Sequence, residues 1–480
     1  MKFCKTITIS AILTALFIYS APTFAGEYTQ LRGVVHVHSK YSSGRYSIEE
    51  LVAKAEAKNI EVLVLTDHDQ VVMEYGLFPL RNLIKKKEER NSVLLAGVDN
   101  YLAEIKRINT RQQSVLIIPG VQSSPFYYWR GNPFKRGLTA HNFRKELLLI
   151  GLSSPDDYHG LPLLHGGLST RYVTDLMARF IIFLTGFLLA VYLLYQKGSM
   201  RIGALVIALM SIALMINHHP FKSSRYDPYH GDQGTAPYQE VIDYVASRGG
   251  LVFWAHPESN YSKNGVQLGP IRMVTEHYSD DLIESTNYTG FAAIYGDTSI
   301  ITNAGRQWDR ILMDYCRGRR AGPVWAIAGS DFHEEQKGFA LDNFQTVFLC
   351  KNKRRADVLQ ALERGRVYAL RQAKGMRLVL DQFRIKDKTT GRTAIMGQEL
   401  SINGSPIIEG RITASDLGHH PVTVSIVKAG QQNWTFEGQT PLDFHFVDKD
   451  HWNGKIFYRL DVHGKTAGRL LSNPIFVMRK

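Results

Sequence analysis

The chain has 480 residues, 44% hydrophobic and 21% charged, and carries a formal charge of +13. That length accommodates two or three domains with a large core, and the composition excludes long disorder. Three cysteines, Cys4, Cys316 and Cys350, with no C-x-x-C pair, exclude a disulfide framework and a thiolate zinc site. The positive charge suits anionic lipid or phosphate-bearing partners without requiring them.

The first 25 residues read as an export signal: Lys2 and Lys5, the apolar run Ile7 to Tyr19, then Ala21-Pro-Thr-Phe-Ala25 as a cleavage site. An uncleaved anchor is the alternative, and it leaves the rest of the chain on the same side of the membrane. From Glu27 to about Gly151, apolar runs alternate with helical stretches. Val34-Val-His-Val-His38 predicts a strand whose two histidines, two residues apart, share one face and can grip one divalent ion. Ser47-Ile-Glu-Glu50 has capping-box spacing and opens a helix through Lys58; Glu61 to Leu65 is a strand running into Thr66-Asp-His-Asp69. Val71 to Tyr101 reads as an irregular, charged helical region, and Ser114 to Gly120 and Glu146 to Gly151 as strands. Strands alternating with helices predict a parallel sheet or a barrel.

Phe180 to Tyr195 and Ile202 to Ile216 are then free of charge, with a polar link between them carrying Lys197 and Arg201. Each run is shorter than the roughly 20 residues that cross a bilayer comfortably, so a buried helical hairpin competes with a transmembrane one. Arg179 and Arg201 can snorkel and Tyr192 and Tyr195 suit an interface, which favours the membrane; the basic link fits a cytoplasmic turn. Alternation resumes with a helix at Tyr238 to Arg248, a strand ending in Ala255-His-Pro257, a strand segment at Asp280 to Ser285 and a helix at Arg306 to Arg320. A strand ending in Gly329-Ser-Asp-Phe-His333 and a helix at Lys353 to Gly365 follow. From about Met376, short alternating runs punctuated by glycine predict an all-β module, a small sandwich.

Four knots of His and Asp close apolar runs: His36-x-His38, Asp67-His68, His256 and Asp331-x-His333. Such a set describes a polynuclear metal site of the open-sided kind that serves hydrolysis. In this order, H-x-H, T-D-H-D, P-G-x, A-H-P and G-S-D-F-H resemble the polymerase and histidinol phosphatase (PHP) superfamily of metal-dependent hydrolases, over roughly Leu31 to Leu370. The tail, with Tyr458-Arg-Leu-Asp-Val462 and Ser472-Asn-Pro-Ile-Phe476, resembles the C-terminal module of exported PHP proteins, including relatives of carbamate-insecticide hydrolases. The resemblance implies an α/β fold, a distorted seven-stranded β/α barrel that is TIM-like, here interrupted by a transmembrane helical hairpin and followed by the small all-β sandwich. The boundaries expected are 1–25 for the signal, 27–175 and 220–372 for the barrel halves, 176–219 for the hairpin and 376–480 for the β module.

The resemblance also implies divalent ions, zinc, manganese or iron, and most often phosphoesterase activity. It assigns His36, His38, His68, His256, Asp331 and His333 as ligands, with Asp67 and Asp69 as acidic companions; Asp331, Asp67 and Asp69 are the catalytic candidates. Where the family carries a bridging Glu after Pro-Gly, this chain has Gln122, a neutral and weak ligand. Where the family offers His at the next strand, Glu146 stands and can return that charge. No His follows His38 closely, so two metals are expected rather than three. Arg130, Lys135 or Arg136, beside the aromatic run Pro125 to Trp129, are candidates to meet an anionic group of the substrate. Because ligands precede and follow the hairpin, both barrel halves must lie on one side of the membrane, periplasmic or extracellular.

The expected protein is an exported, membrane-anchored hydrolase of a small anionic ester, with no nucleic-acid partner. A carbamate, amide or carboxylic ester hydrolase of the same fold, and a non-catalytic sensor with a degenerate site, are the alternatives.

Overall fold

The computed structural model describes residues 23–24, 28–134, 137–196, 200–259, 265–296 and 299–479. The export segment, save Thr23 and Phe24, lies outside the described residues, as do Lys135, Arg136 and Lys197.

Apolar runs form a circuit of strands. They are β1 (Tyr28–Val37), β2 (Val62–Leu65, continued by Asp67–His68), β3 (Leu116–Ile118, continued by Gly120–Ser123), β4 (Leu147–Ile150), β5 (Leu251–Trp254), β6 (Gly290–Ile294) and β7 (Trp325–Ala328). Every residue of β4, β6 and β7 is buried, which is why these segments read as unbroken apolar runs rather than alternating ones. The strands β1, β2 and β3 pair in parallel, and so do β5, β6 and β7. Between these groups β4 is antiparallel to both β3 and β5, so the parallel pattern expected from the alternation breaks at β4. Past its end, β7 returns to β1: Ser330 N donates to Val35 O (2.9 Å), Phe332 N to His36 O (3.0 Å) and His38 N to Phe332 O (2.9 Å). The hydrogen-bonded path thus comes back to its starting strand, with the ends of β1, β2, β3, β5 and β7 gathered in one place.

Local chemistry explains the supports. Helix α1 (Ile48–Ala57) begins at Ser47 in a full capping box: Ser47 Oγ accepts from Glu50 N (3.1 Å) and Ser47 N donates to Glu50 Oε2 (2.7 Å). Helix α2 (Val98–Arg111) turns Val98, Tyr101, Ile105 and Ile108 inward. Gly120 allows the close approach of β3 to its neighbours, since a Cβ there would lie 2.7 Å from Leu149 O and 2.9 Å from Leu65 O.

Two segments differ from expectation. Residues 71–90 are a β-hairpin of Val71–Gly76 and Lys85–Arg90, not a helical region. Val71 and Val72 favour extended backbone, and the six charged residues lie exposed on an edge strand, where charge is tolerated and blocks further pairing. Asp281–Glu284 is a short helix rather than a strand, with Asp281 paired to Lys145.

Helices α3 (Val173–Tyr195) and α4 (Arg201–Asn217) stand between β4 and β5 in the chain. Among the described residues only α3 is long and apolar enough to cross a membrane; α4 is shorter, so by length the expected two spans reduce to one candidate span and an apolar companion. The helices meet through small residues: a Cβ on Gly186 would lie 3.3 Å from Ser211 Oγ, and Ala190, Ala204 and Ala208 are buried.

The C-terminal part is sheet-rich, as its alternating runs predict, and has its own core around Leu380, Phe383, Ile408, Val424, Tyr458 and Leu470. It is not a free-standing sandwich. Strand β8 (Phe344–Cys350) pairs with β1, β9 (Val367–Arg371) with β8, and Gly468–Ser472 with β9, so one sheet runs from the circuit into the C-terminal part. The buried guanidinium of Arg459 then reaches across to α5 (Gln307–Cys316): its Nε donates to Asp309 Oδ1 (2.7 Å) and Nη2 to Asp309 Oδ2 (2.9 Å) and Thr302 O (2.9 Å). Removing one partner of such a pair strands a charge in the interior, so Asp309→Ala is expected to cost about 3–5 kcal/mol. Urea unfolding of the full chain measures it; a loss under about 1 kcal/mol would show that the pair does not hold the two parts together.

Candidate metal centre

The strand ends deliver their polar residues to one cavity of about 1390 Å³, whose inner end is formed by His68, Gln122, Glu146, Asp331 and His333. At its centre a single carboxylate oxygen, Asp331 Oδ1, lies 3.1 Å from His36 Nε2, 3.5 Å from His38 Nε2 and 3.3 Å from His333 Nε2. The His38 and His333 rings stack at 4.2 Å, and His68 lies 4.8 Å from His38 between centroids. On the other side His256 Nε2 is 3.2 Å from Glu146 Oε2, and its ring stacks on His36 at 5.6 Å. Gln122 pairs with His68 across the β2–β3 register and is buried at 1% exposure.

The backbone at these positions is unusual. His36 and Asp331 have left-handed φ values of 71° and 48°, and His256 stands at 20°. Such a conformation costs a non-glycine residue about 1–3 kcal/mol and persists where surrounding structure imposes it, commonly at functional sites. At His36 the β1–β2 register slips between Val35 and Val37. The convergence of His36 and His38 therefore comes from this bulge, not from simple strand alternation.

Second partners fix which ring nitrogen faces inward. Asp67 takes three donors, Ser39 N (2.7 Å), Ser39 Oγ (2.8 Å) and Ser42 Oγ (2.7 Å). The Ser42 proton is thereby committed to Asp67, so Ser42 Oγ accepts from His38 Nδ1 (3.3 Å) and leaves the Nε2 lone pair facing the centre. Tyr278 repeats the device: its hydroxyl donates to Ala255 O (2.5 Å) and so accepts from His256 Nδ1 (3.3 Å). Ser43 Oγ holds His333 Nδ1 at 2.9 Å. Gly44 closes this turn, since a Cβ there would lie 2.1 Å from His38 O.

The result is a convergence of nitrogen and oxygen atoms, His36 and His38 Nε2 toward Asp331 Oδ1, and His256 Nε2 against Glu146 Oε2. His36 Nε2, His38 Nε2 and Gln122 Oε1 are buried without a hydrogen-bond donor. Such an arrangement needs protons or cations between its members, and the N and O donor set is of the kind that binds zinc, manganese or iron. The residues present fit a divalent metal. Burial drives the His38 imidazole well below its ordinary value and His68 down to about 4, so both are neutral and available as ligands near neutral pH. Burial alone would raise Asp331, but the imidazoles of His36, His333 and His38 around it hold it well below the usual carboxylate range. At His256 burial favours the neutral form, and Glu146 overcomes it and raises the pKa.

The other acidic candidates stand behind the centre. Both oxygens of Asp67 are occupied by the serines, and burial pushes Asp69 up to about 7, with its Oδ1 accepting from Gln70 N (2.6 Å). Arg130 is exposed, packs over Tyr128 and does not line the cavity. Arg45 and Arg144 do; burial opposes ionisation of Glu146, but His256, His68 and Arg144 keep its pKa lowered, and at His333 Asp331 overcomes burial and Arg144 and raises the pKa. Sequence reasoning passed over Arg144 although it lies two residues before Glu146, and passed over Ser42, Ser43 and Tyr278, whose hydroxyls carry no motif.

The PHP domain family matches residues 35–317, more than half of the chain. The chain belongs to the PHP domain family. The match ends before Asp331 and His333, which the fold nonetheless brings beside His36 and His38. Among solved structures, a two-domain protein of Bacteroides vulgatus described as containing a predicted PHP-like metal-dependent phosphoesterase is 13% identical, with a TM-score of 0.38, covering 94% of this chain and 97% of its own. One from Bifidobacterium adolescentis, assigned as a metal-dependent phosphoesterase, is 15% identical with a TM-score of 0.28, covering 63% of this chain and 87% of its own. No curated protein matches the chain.

The serine turn can be tested without metal. Ser42→Ala takes a donor from buried Asp67 and an acceptor from His38, and is expected to cost about 1–3 kcal/mol in urea unfolding of metal-free protein. Ser43→Ala, at an exposed hydroxyl, is expected to cost under about 0.5 kcal/mol. Equal costs would contradict the buried relay from His38 to Asp67.

Proposed function

We propose that this PHP protein is a metal-dependent phosphoester hydrolase held at a membrane, with its reactive centre formed by His36, His38, His68, Glu146, His256, Asp331 and His333. The observation that carries the reading is the buried facing of Nε2 and carboxylate acceptors across one centre, which a divalent cation satisfies. A divalent cation supplies, when bound, Lewis-acid polarisation of the ester and a lowered pKa for water. The chain's own residues do the rest. Ser42, Tyr278 and Ser43 orient the rings through Nδ1, and Glu146 returns beside His256 the negative charge that Gln122 lacks. Asp331, kept ionised, accepts a hydrogen bond from an attacking water on the open side of the cavity. Arg144 and Arg45, at the cavity wall, meet an anionic ester; this gives them the role expected of Arg130.

The closed strand path supports reading residues 27–175 and 220–372 as two halves of a distorted seven-stranded barrel, with 376–480 as the β module fused to it. The exposure pattern of α3 and α4 supports a bilayer setting: their small residues are buried against each other, while Ile182 (65%), Leu189 (58%), Ile202 (79%) and Leu209 (59%) are exposed. At 1.5 Å per residue they are about 35 and 26 Å long, against a hydrocarbon core of about 30 Å. The chain must return to the side it left, because β4 before the helices pairs with β5 after them. Export, through the N-terminal signal, is part of the same reading, as is kinship with the carbamate-hydrolase branch. Two ions, zinc, manganese or iron, fit the loss of a charged bridge at Gln122. The sensor alternative draws on Gln122 alone, while the tautomer-fixing hydroxyls would have no use in a site without metal.

Assay of the purified full chain with manganese or zinc tests the reading, using aryl phosphate mono- and diesters beside an aryl acetate and an aryl carbamate. Turnover is expected for a phosphoester, reduced on the order of 10²–10⁴-fold by Asp331→Asn. Arg144→Ala is expected to raise KM about tenfold or more. Turnover of the carbamate alone would replace the phosphoester assignment, and turnover of none with metal loaded would support the sensor.

A further inference from the structure

The cavity is far larger than the metal centre needs, and its outer part differs in character. Beyond His68 and Glu146 one wall is Met73, Tyr75, Trp129, Phe143, Leu164 and Ile271, most of them in a cluster of their own, and the charged Lys86, Glu88 and Arg90 of the neighbouring strand also line the cavity. This wall is held rigidly. Tyr127 OH and Trp129 Nε1 both donate to Glu74 O (3.2 and 2.9 Å), Glu74 N donates to Tyr127 OH (2.8 Å), and Tyr75 packs edge-on to Trp129 at 5.1 Å. Along the cavity the strand Val71–Gly76 leads away from the histidines for roughly 20 Å. It ends in a loop whose Leu77 (39%), Phe78 (81%), Leu83 (44%) and Ile84 (53%) are exposed.

That loop is fastened to the apolar helices. Asn82 N donates to Asn217 Oδ1 (2.7 Å) and Asn82 Nδ2 to Asn217 O (2.7 Å), at the C-terminal end of α4. Asn217 is itself buried, and Arg81 lies 3.9 Å over the ring of Tyr229, whose hydroxyl accepts from Gly76 N (2.5 Å). The strand that carries Met73 and Tyr75 of the cavity wall thus continues into a loop of exposed hydrophobic residues, fastened to the end of a helix that itself exposes Ile216 and Met210.

We infer that the substrate is a membrane-resident amphiphile, an anionic phosphoester head bound at the metal centre with an alkyl or polyisoprenyl chain lying along the Met73–Trp129 wall and entering past the hairpin tip. The inference rests on the hydrolase and membrane readings above and names their substrate class. Arg45 and Arg144 at one end and apolar side chains at the other match the two halves of such a molecule. A wholly polar phosphoester would leave the outer wall in contact with water.

A photoreactive dodecylphosphonate with a diazirine near its chain end tests this on the full chain in nanodiscs, because its carbon–phosphorus bond resists hydrolysis and labelling does not depend on turnover. Crosslinks mapped by mass spectrometry are expected in the peptides holding Met73, Tyr75, Trp129 and Phe143. Unlabelled dodecylphosphonate should suppress them at least about tenfold better than methylphosphonate or inorganic phosphate, the equivalent of two or more buried methylenes. Met73→Glu is expected to lower labelling of the other wall peptides relative to that of α3 and α4. Labelling confined to α3 and α4, or equal competition by methylphosphonate, overturns the inference. Turnover of a soluble aryl phosphate without wall labelling overturns the amphiphile alone and leaves the hydrolase reading standing; wall labelling without turnover of any phosphoester upholds the amphiphile and counts against the hydrolase.

Discussion

The structure depends on one electrostatic constraint: buried imidazole nitrogens and carboxylates aimed at each other. Asp331 Oδ1 sits among three Nε2 atoms and Glu146 Oε2 faces a fourth; His36, His38, Glu146 and His256 are buried, while Asp331 and His333 stand where the site opens into the cavity. Left with neither proton nor cation, those lone pairs would destabilise the fold. Around them the chain spends its unusual conformations, left-handed backbone at His36 and Asp331 and a bulge that breaks the β1–β2 register. It spends its buried hydroxyls there as well, at Ser39, Ser42 and Tyr278. The wider architecture follows from the need to bring ligands from both ends of the chain together. The return of β7 to β1 sets Asp331 beside His36, and β4 paired to β5 sets Glu146 beside His256 across the long excursion of α3 and α4.

Much of this was legible in the sequence because the candidate ligands close apolar runs, where a strand end and a change in chemistry coincide. His36, His38, His68, His256, Asp331 and His333 are found in one place because each follows a buried run whose length and composition mark a strand. The Ser47 capping box and the alternating runs of the C-terminal part were equally readable, being local patterns with local causes. Glu146, read as a compensating carboxylate, lies against His256 and not beside Gln122 in the hydrogen-bonded register.

What was not legible depends on partners distant in the chain. The charged segment Lys85–Arg90 resembles a helix face when taken alone, and becomes a strand because Val71–Gly76 offers it an edge. Asp67 reads as a metal-site acid but serves the turn at Ser39 and Ser42, a role set by hydrogen bonds that leave no periodicity. Arg130 and Arg144 are equally basic in sequence; the strand Tyr128–Arg130 leaves the first exposed, while the second lines the cavity. The fusion of the C-terminal part through Gly468–Ser472 and the Arg459–Asp309 pair likewise joins residues about a hundred or more positions apart, beyond any motif.

The measurement that bears most directly on this account is elemental analysis of the purified full chain, counting transition metal per chain before and after equilibration with manganese, zinc or iron. The account predicts tight retention of about two ions, with the count falling in a His36→Ala variant that keeps its cooperative unfolding. A count well below one in the folded wild-type chain under every loading condition would contradict it, since the facing acceptors would then be satisfied by protons alone.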